Sequence, residues 1–255
     1  MRVFIVLWIV LAVSLLCAGP VPVEFGSVPE KKLELIKKIP YGAGDGQVGI
    51  FIPGKTEEKP FGVNAISGDG TGLFILDNMN RRVLSLDIQT KSLKKELSLP
   101  AETFDALFVS GGTLFLHNNK EARLYAKKGD TVTPAAKPAT EKATAYPYTK
   151  FIGNGATRVV LSDKDFFELS FTDRSLLSFL LVGRADSGDL FFQIELADGS
   201  RHILVTSGKG AVLGRMTLPG SALYKPEKDI HVAGDGTVYV IAPGGDSLHI
   251  YGGRP

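Results

Sequence analysis

A segment that returns at a regular spacing constrains the fold of this chain most. The stretch from Gly72 to Leu84 reappears without a gap from Thr113, and a third copy begins at Thr237. Each copy reads as a short apolar strand, a polar or Gly-rich turn and a second strand. Repeats of about 40 residues built from short strands are typical of β-propellers. The sequence therefore predicts an all-β fold of this type.

The repeat also predicts how the chain is organised. The segment 33–39 resembles the strand that ends the first clear unit and is missing after the last one, so we expect it to complete the last blade and close the ring. We predict a leader at 1–19, an extended lead-in at 20–32 and a single propeller domain at 33–255. Five units can be marked, beginning near Val63, Phe104, Tyr148, Ser178 and Asp229.

The segment from Pro60 to Asp87 resembles one repeat of the NHL family. That family has a Pro-x-Gly start, a Gly-containing turn, a strand, and then Asp-x-x-Asn-x-Arg, which here is Asp77, Asn80 and Arg82. The likeness fades in later units. NHL-like propellers are commonly six-bladed, so the resemblance implies six blades although five units can be marked. It implies a fold and a general binding role, and no single activity.

The first residues have the pattern of a secretory signal peptide. Arg2 precedes an apolar run over 3–18, which is shorter than the roughly 20 residues of a membrane-spanning helix. We expect export to the periplasm or the extracellular space. Cys17, the only cysteine, is expected to leave with the leader. The alternative is a lipid anchor at Cys17, although Leu16 departs from the small residue that lipoprotein signals place there.

The charge balance argues against a nucleic-acid partner. The chain has 29 Lys and Arg against 27 Asp and Glu, a formal net charge of +2, and no Lys/Arg run longer than two. A surface that tracks phosphates needs a strong basic patch. We therefore expect no nucleic-acid partner, membrane contact only through the leader or a lipid, and a monomer without a cofactor.

The densest polar residues lie in the turns of the repeat. They admit two interpretations, a binding site at the blade turns or groups that fix the turns themselves, and their recurrence between units favours the second. The candidate binding residues are Asp77, Asn78, Asn80, Arg82, His117, Asn118 and Arg123.

The histidines do not predict a metal site. No two of them have the spacing of metal ligands, and zinc needs several convergent ligands. His117 takes the place of the apolar Leu76 of the first copy, which fits either a half-buried strand residue or an unusual site. We predict no catalytic residue and no metal ligand. The four histidines are His117, His202, His231 and His249.

Two functions are compatible with these observations. The first is an exported, non-catalytic module that binds a protein or peptide through blade loops, with 41–60 and 134–147 as the contact elements. The alternative is a metal-dependent hydrolase or lyase that acts at the central channel, which metal content would distinguish. An electron-transfer role ranks last, because nothing in the chain ligates haem or copper.

Overall fold

A computed structural model describes residues 20–54, 59–68, 71–136, 147–153, 156–162 and 165–255. The predicted leader with Cys17, and most of the 134–147 segment, lie outside these residues. The described chain consists of strands and one short 3₁₀ helix, Phe25–Ser27. The strands are β1 (Val21–Val23), β2 (Glu30–Lys31), β3 (Glu34–Pro40), β4 (Ala65–Gly68), β5 (Gly72–Asp77), β6 (Arg82–Asp87), β7 (Leu93–Ser98), β8 (Ala106–Ser110), β9 (Thr113–Asn118), β10 (Arg123–Lys128), β11 (Thr131–Ala135), β12 (Tyr148–Gly153), β13 (Ala156–Ser162), β14 (Asp165–Phe171), β15 (Leu176–Arg184), β16 (Leu190–Leu196), β17 (Arg201–Thr206), β18 (Val212–Thr217), β19 (Ile230–Val232), β20 (Val238–Pro243) and β21 (Ser247–Gly253).

These strands form five sheets, which are the blades of an all-β propeller. We name them blade A (β4–β7), blade B (β8–β11), blade C (β12–β14 with β1), blade D (β15–β18 with β2) and blade E (β19–β21 with β3). The first strand of blade A contacts those of blades B and E, and the first strand of blade D contacts those of blades C and E. These first strands therefore face a common central channel.

The N-terminal segment supplies the outer strand of three blades. Strand β1 pairs in parallel with β14, β2 pairs in parallel with β18, and β3 pairs antiparallel with β21. The outer strand predicted from 33–39 is found at β3, and the expected lead-in contributes β1 and β2. The resemblance implied six blades, but the described residues contain five sheets. Residues 20–40 add no further blade, because they complete blades C, D and E.

The core lies between neighbouring blades. Successive side chains of a strand point to opposite faces of its sheet, so each blade offers one apolar set to each neighbour. Leu107 and Leu116 of blade B pack against Leu76 and Val83 of blade A. Similar buried clusters join blade A to E, C to D and D to E. Among the described residues, no such cluster joins blade B to blade C, and a cavity is found on the free face of blade B.

Residues 23–31 form an N-terminal clasp across blades C and D. The ring of Phe25 is 3% exposed and lies edge-on to His202, with 4.9 Å between ring centroids. The guanidinium of Arg215 lies 4.9 Å from the centroid of the same ring and pairs with Glu30 at 3.0 Å. The backbone N–H of Phe25 donates to Asp173 at 2.7 Å. Aromatic burial, a cation–π contact and charge-assisted hydrogen bonds therefore hold the clasp together.

The clasp should make stability depend on pH through His202. Burial first, and then the charge of Arg215, lower the pKa of His202, while Glu30 and Asp198 raise it and Arg174 lowers it further. The folded protein thus binds this proton less readily than the unfolded chain, whose histidine titrates near pH 6.5. The stability that neutral His202 contributes is therefore fully present above about pH 6.5 and is lost as the pH falls below this value.

Urea denaturation at about pH 7.5 and about pH 5.5 measures this loss. The carboxylates of Glu30 and Asp173 have lowered pKa values, so their protonation changes the stability only at more acidic pH. We expect His202→Gln to flatten the dependence between these two pH values. An equal loss of stability in His202→Gln would assign the dependence to other groups.

Candidate functional site

Two cavities adjoin, one at the central channel and one that extends from it over the free face of blade B. The first, of about 550 Å³, is the one on blade B. It is lined by Ala106 and Phe108, which alternate with the blade A-facing Leu107, and by His117, which pairs with Ala106 across the sheet and so shares its face. The second, of about 430 Å³, lies between the first strands of blades A, B, D and E. Both are lined by Phe108 and by Lys228, and both have the size of small-molecule sites.

Lys228 is held in place by its backbone. Its N–H donates to the carbonyl of Asn64 at 3.0 Å, and its carbonyl accepts from the N–H of Ile66 at 3.1 Å, as in a parallel strand pair with blade A. The next residue, Asp229, is buried and pairs with Arg201 at 2.7 Å. The Lys228 side chain is exposed and forms no ion pair with a described residue. Its ammonium group is therefore available to a ligand.

Other ionisable and aromatic groups surround this lysine. Glu227 lines the second cavity and His117 the first, so the two cavities that Lys228 shares offer a carboxylate and an imidazole. The ring of Phe108 stacks on Phe115 with 5.3 Å between centroids. An ammonium group stabilises developing negative charge, and carboxylates and imidazoles transfer protons. The arrangement can therefore support acid–base chemistry on a bound small molecule.

The polar residues of the first repeat lie elsewhere and bond to one another. Asp77 Oδ2 accepts from Arg82 Nε at 3.0 Å and from Asn80 Nδ2 at 2.9 Å. Asp77 Oδ1 accepts from the N–H of Gly49 at 3.0 Å, and Arg82 Nη2 donates to carbonyls of the 44–47 segment. Asp77 and Arg82 are buried. These contacts attach the loop after β3 to blade A.

The remaining predicted residues lie either at the turns of the blades or in the lining of the first cavity. Asn78 Nδ2 donates to the carbonyl of Phe104 at 2.7 Å and so connects blades A and B. Asn118 is buried and accepts from the N–H of Glu121. His117 and Arg123 line the first cavity. The structure therefore brings these last two to the first cavity and leaves the others at the turns of the blades.

Sequence reasoning missed Lys228, Glu227 and Phe108. A single lysine or glutamate in a segment without regular structure carries no pattern, and Phe108 reads as an ordinary strand residue. The available signal was position, because residues 227–229 lie where the fifth unit begins, and first strands of propeller blades line the channel.

Within the described ranges, no three His, Cys, Asp or Glu side chains lie close enough together to hold one metal ion. None of the helices in that part of the chain is long and apolar enough to cross a membrane.

Comparison with known proteins finds only distant likenesses. No family model and no curated protein matches the chain. A structure of streptogramin B lyase is 13% identical, with 82% of this chain and 80% of that chain covered and a TM-score of 0.33. The PQQ-bound aldose sugar dehydrogenase of Streptomyces coelicolor is 9% identical, with 89% of this chain and 99% of that chain covered and a TM-score of 0.40. A gluconolactonase of Xanthomonas campestris is 11% identical, with 76% of each chain covered and a TM-score of 0.33.

These findings correct the expected function. The hypothesis of a non-catalytic module that binds a protein or peptide is wrong by this comparison, because the similar structures named above are enzymes. The likenesses are too distant to transfer any of their activities to this chain. Nothing in the sequence indicated that Lys228 and Glu227, which are neighbours in the chain, line the same pair of adjoining cavities as the distant His117.

Proposed function

We propose that this protein is an enzyme, a hydrolase or a lyase, that acts on a small molecule where the two channel cavities adjoin. The observation that carries the proposal is the position of Lys228. This lysine lines both cavities and has a backbone fixed against blade A, with His117 in the lining of the first cavity and Glu227 in that of the second.

The residues suit the shared requirements of both reactions. Ester or lactone hydrolysis develops an oxyanion, and elimination from a carbon next to a carbonyl develops an enolate. The Lys228 ammonium would stabilise either charge, because a cation next to the atom where negative charge develops lowers the energy of the transition state. Glu227 or His117 would take the proton from water or from the substrate carbon.

The family and the location of the protein are part of the same proposal. The match of 60–87 to an NHL repeat supports an NHL-like propeller, since Asp77, Asn80 and Arg82 of that motif form one hydrogen-bonded group. The short apolar run at 3–18 supports export.

Turnover of model substrates by the full chain tests the enzyme proposal. We expect slow hydrolysis of p-nitrophenyl acetate or dihydrocoumarin, or elimination from a β-substituted ketone. We expect Lys228→Met and Glu227→Gln to lower the rate about 100-fold, the scale of one lost acid, base or charge-stabilising group. The matched control is Lys95→Met, on the exposed outer strand of blade A, which should leave the rate unchanged.

The metal requirement is measured on the same protein. If activity is lost on dialysis against EDTA and returns with Ca²⁺ or Zn²⁺, the enzyme is metal-dependent. A rate insensitive to EDTA would assign the chemistry to side chains. Rates equal in Lys228→Met, Glu227→Gln and Lys95→Met would refute a channel active site.

A further inference from the structure

The first cavity has a one-sided charge. Its described lining contains the two cations Arg123 and Lys228 and the imidazole of His117, but no carboxylate. Arg123 pairs with Glu121 at 3.2 Å, yet both side chains are exposed, at 64% and 38%. Exposed ion pairs of this kind are weak, so an entering anion can compete for the guanidinium. The cavity therefore favours a negatively charged ligand.

The same cavity offers a flat apolar wall. Phe108 is half-buried, and its ring lies 13° from parallel to that of Phe115, which holds it in one orientation. Leu124, Ala106 and Ala135 complete the apolar lining. Aromatic rings stack in offset arrangements with centroids about 4.5–7 Å apart. A planar ring system therefore fits against Phe108.

The cation Lys228 and the aromatic ring of Phe108 lie at the same end of the first cavity. Lys228 and Phe108 both line the boundary with the second cavity, where the proposed chemistry takes place. The volume of about 550 Å³ suits a small molecule. Because the Lys228 backbone is fixed by hydrogen bonds to Asn64 and Ile66, the base of its side chain is positioned before the ligand arrives, and the flexible stem carries the ammonium to the ligand.

We infer that the substrate is an aromatic carboxylate, with its ring stacked on Phe108 and its carboxylate held by Lys228 and Arg123. This assignment rests on the proposed function, since it names the substrate class of the same site. The carboxylate would accept charge-assisted hydrogen bonds from the ammonium and the guanidinium, which are stronger than neutral ones. Because a lysine ammonium has three donors, Lys228 would bond both this carboxylate and the developing charge of a reacting group next to it, on the side of Glu227 and the second cavity.

Binding of two matched probes tests the inference. Calorimetric titration of the full chain compares 2-naphthoate with 2-naphthylmethanol, which has the same ring system without the charge. We expect naphthoate to bind about tenfold or more tightly, and Lys228→Met and Arg123→Met each to weaken it about tenfold, the scale of a lost charged hydrogen bond. The alcohol should change less than about twofold in both variants, and Phe108→Ala should weaken both probes.

The control and the contrary outcomes are distinct from those of the enzyme proposal. Lys95→Met should leave the affinity of both probes unchanged, and thermal unfolding verifies that each variant is folded. Equal affinities for the two probes, or naphthoate binding unaffected by Lys228→Met, would overturn the inference. The binding test measures no turnover, so its outcome is separate from that of the enzyme test. If the protein hydrolyses esters but shows no preference for the charged probe, the assignment of an aromatic carboxylate is refuted and the enzyme proposal stands. If the protein prefers the charged probe but turns over no substrate, the enzyme proposal is refuted.

Discussion

Replacing Asp77 by Ala is expected to lower the free energy of unfolding by about 3–5 kcal/mol, the range for breaking a buried ion pair from one side. Asp77 is completely buried, and its partner Arg82 is 8% exposed at the side chain. Without the carboxylate, the Arg82 guanidinium stays buried and uncompensated. The N–H of Gly49 and the amide of Asn80 also lose their acceptor.

Chemical denaturation measures this loss, and amide hydrogen exchange locates it. The N–H of Gly49 donates to Asp77, so its exchange should accelerate more than that of amides in blade D. The matched control is Glu121→Ala, which removes the carboxylate of the exposed pair with Arg123 in the next blade. That variant should keep the denaturation midpoint of the parent. Equal effects of the two substitutions would show that Asp77 does not stabilise the fold through its ion pair.

Replacing Phe25 by Ala is expected to cost about 3–4 kcal/mol, as for other large aromatic side chains removed from a core. Phe25 is 3% exposed and belongs to the cluster that joins blades C and D. Its loss also removes the ring between His202 and Arg215. Water would then reach His202, which should weaken the stability loss below pH 6.5.

Thermal unfolding and limited proteolysis follow the clasp in Phe25→Ala. We expect a lower melting temperature and earlier cleavage within residues 20–32. The control is Phe166→Ala in blade C, because that ring is 52% exposed and has Arg158 4.4 Å from its centroid on the surface. It should change the melting temperature little. A similar fall for both variants would mean that the clasp adds no stability of its own.

The repeat predicted the blades well because its signal is local. The copies that begin at Gly72 and Thr113 fall on β5–β6 and β9–β10, with the polar turn between the strands in each. Alternating apolar residues and turn chemistry set these elements without reference to distant parts of the chain. The short parallel strands β1 and β2 were not predictable in the same way, because strands of two or three residues are defined only by their partners β14 and β18.

The aligned arginines show what a repeat cannot predict. Arg82 pairs with Asp77 and is buried, whereas Arg123 follows the neutral Asn118 and turns outward to Glu121. Two changes act together. Neutral Asn118 replaces the buried carboxylate of Asp77. Glu121 replaces Asn80 and supplies a carboxylate at the surface. The consequence, an arginine that lines the first cavity, depends on the neighbouring blade as well. Equivalent positions in the alignment thus have different environments.

The N-terminal outer strands set an order of events during synthesis. Residues 20–40 leave the ribosome before any blade, yet their partners β14, β18 and β21 emerge later, the last of them close to the end of the chain. Blades A and B contain all their own strands and can assemble without residues 20–40. In blades C, D and E the outer strand is made first and stays unpaired until its partner strand has followed. Such distant pairings slow folding, so the second half of the molecule should reach its native state last.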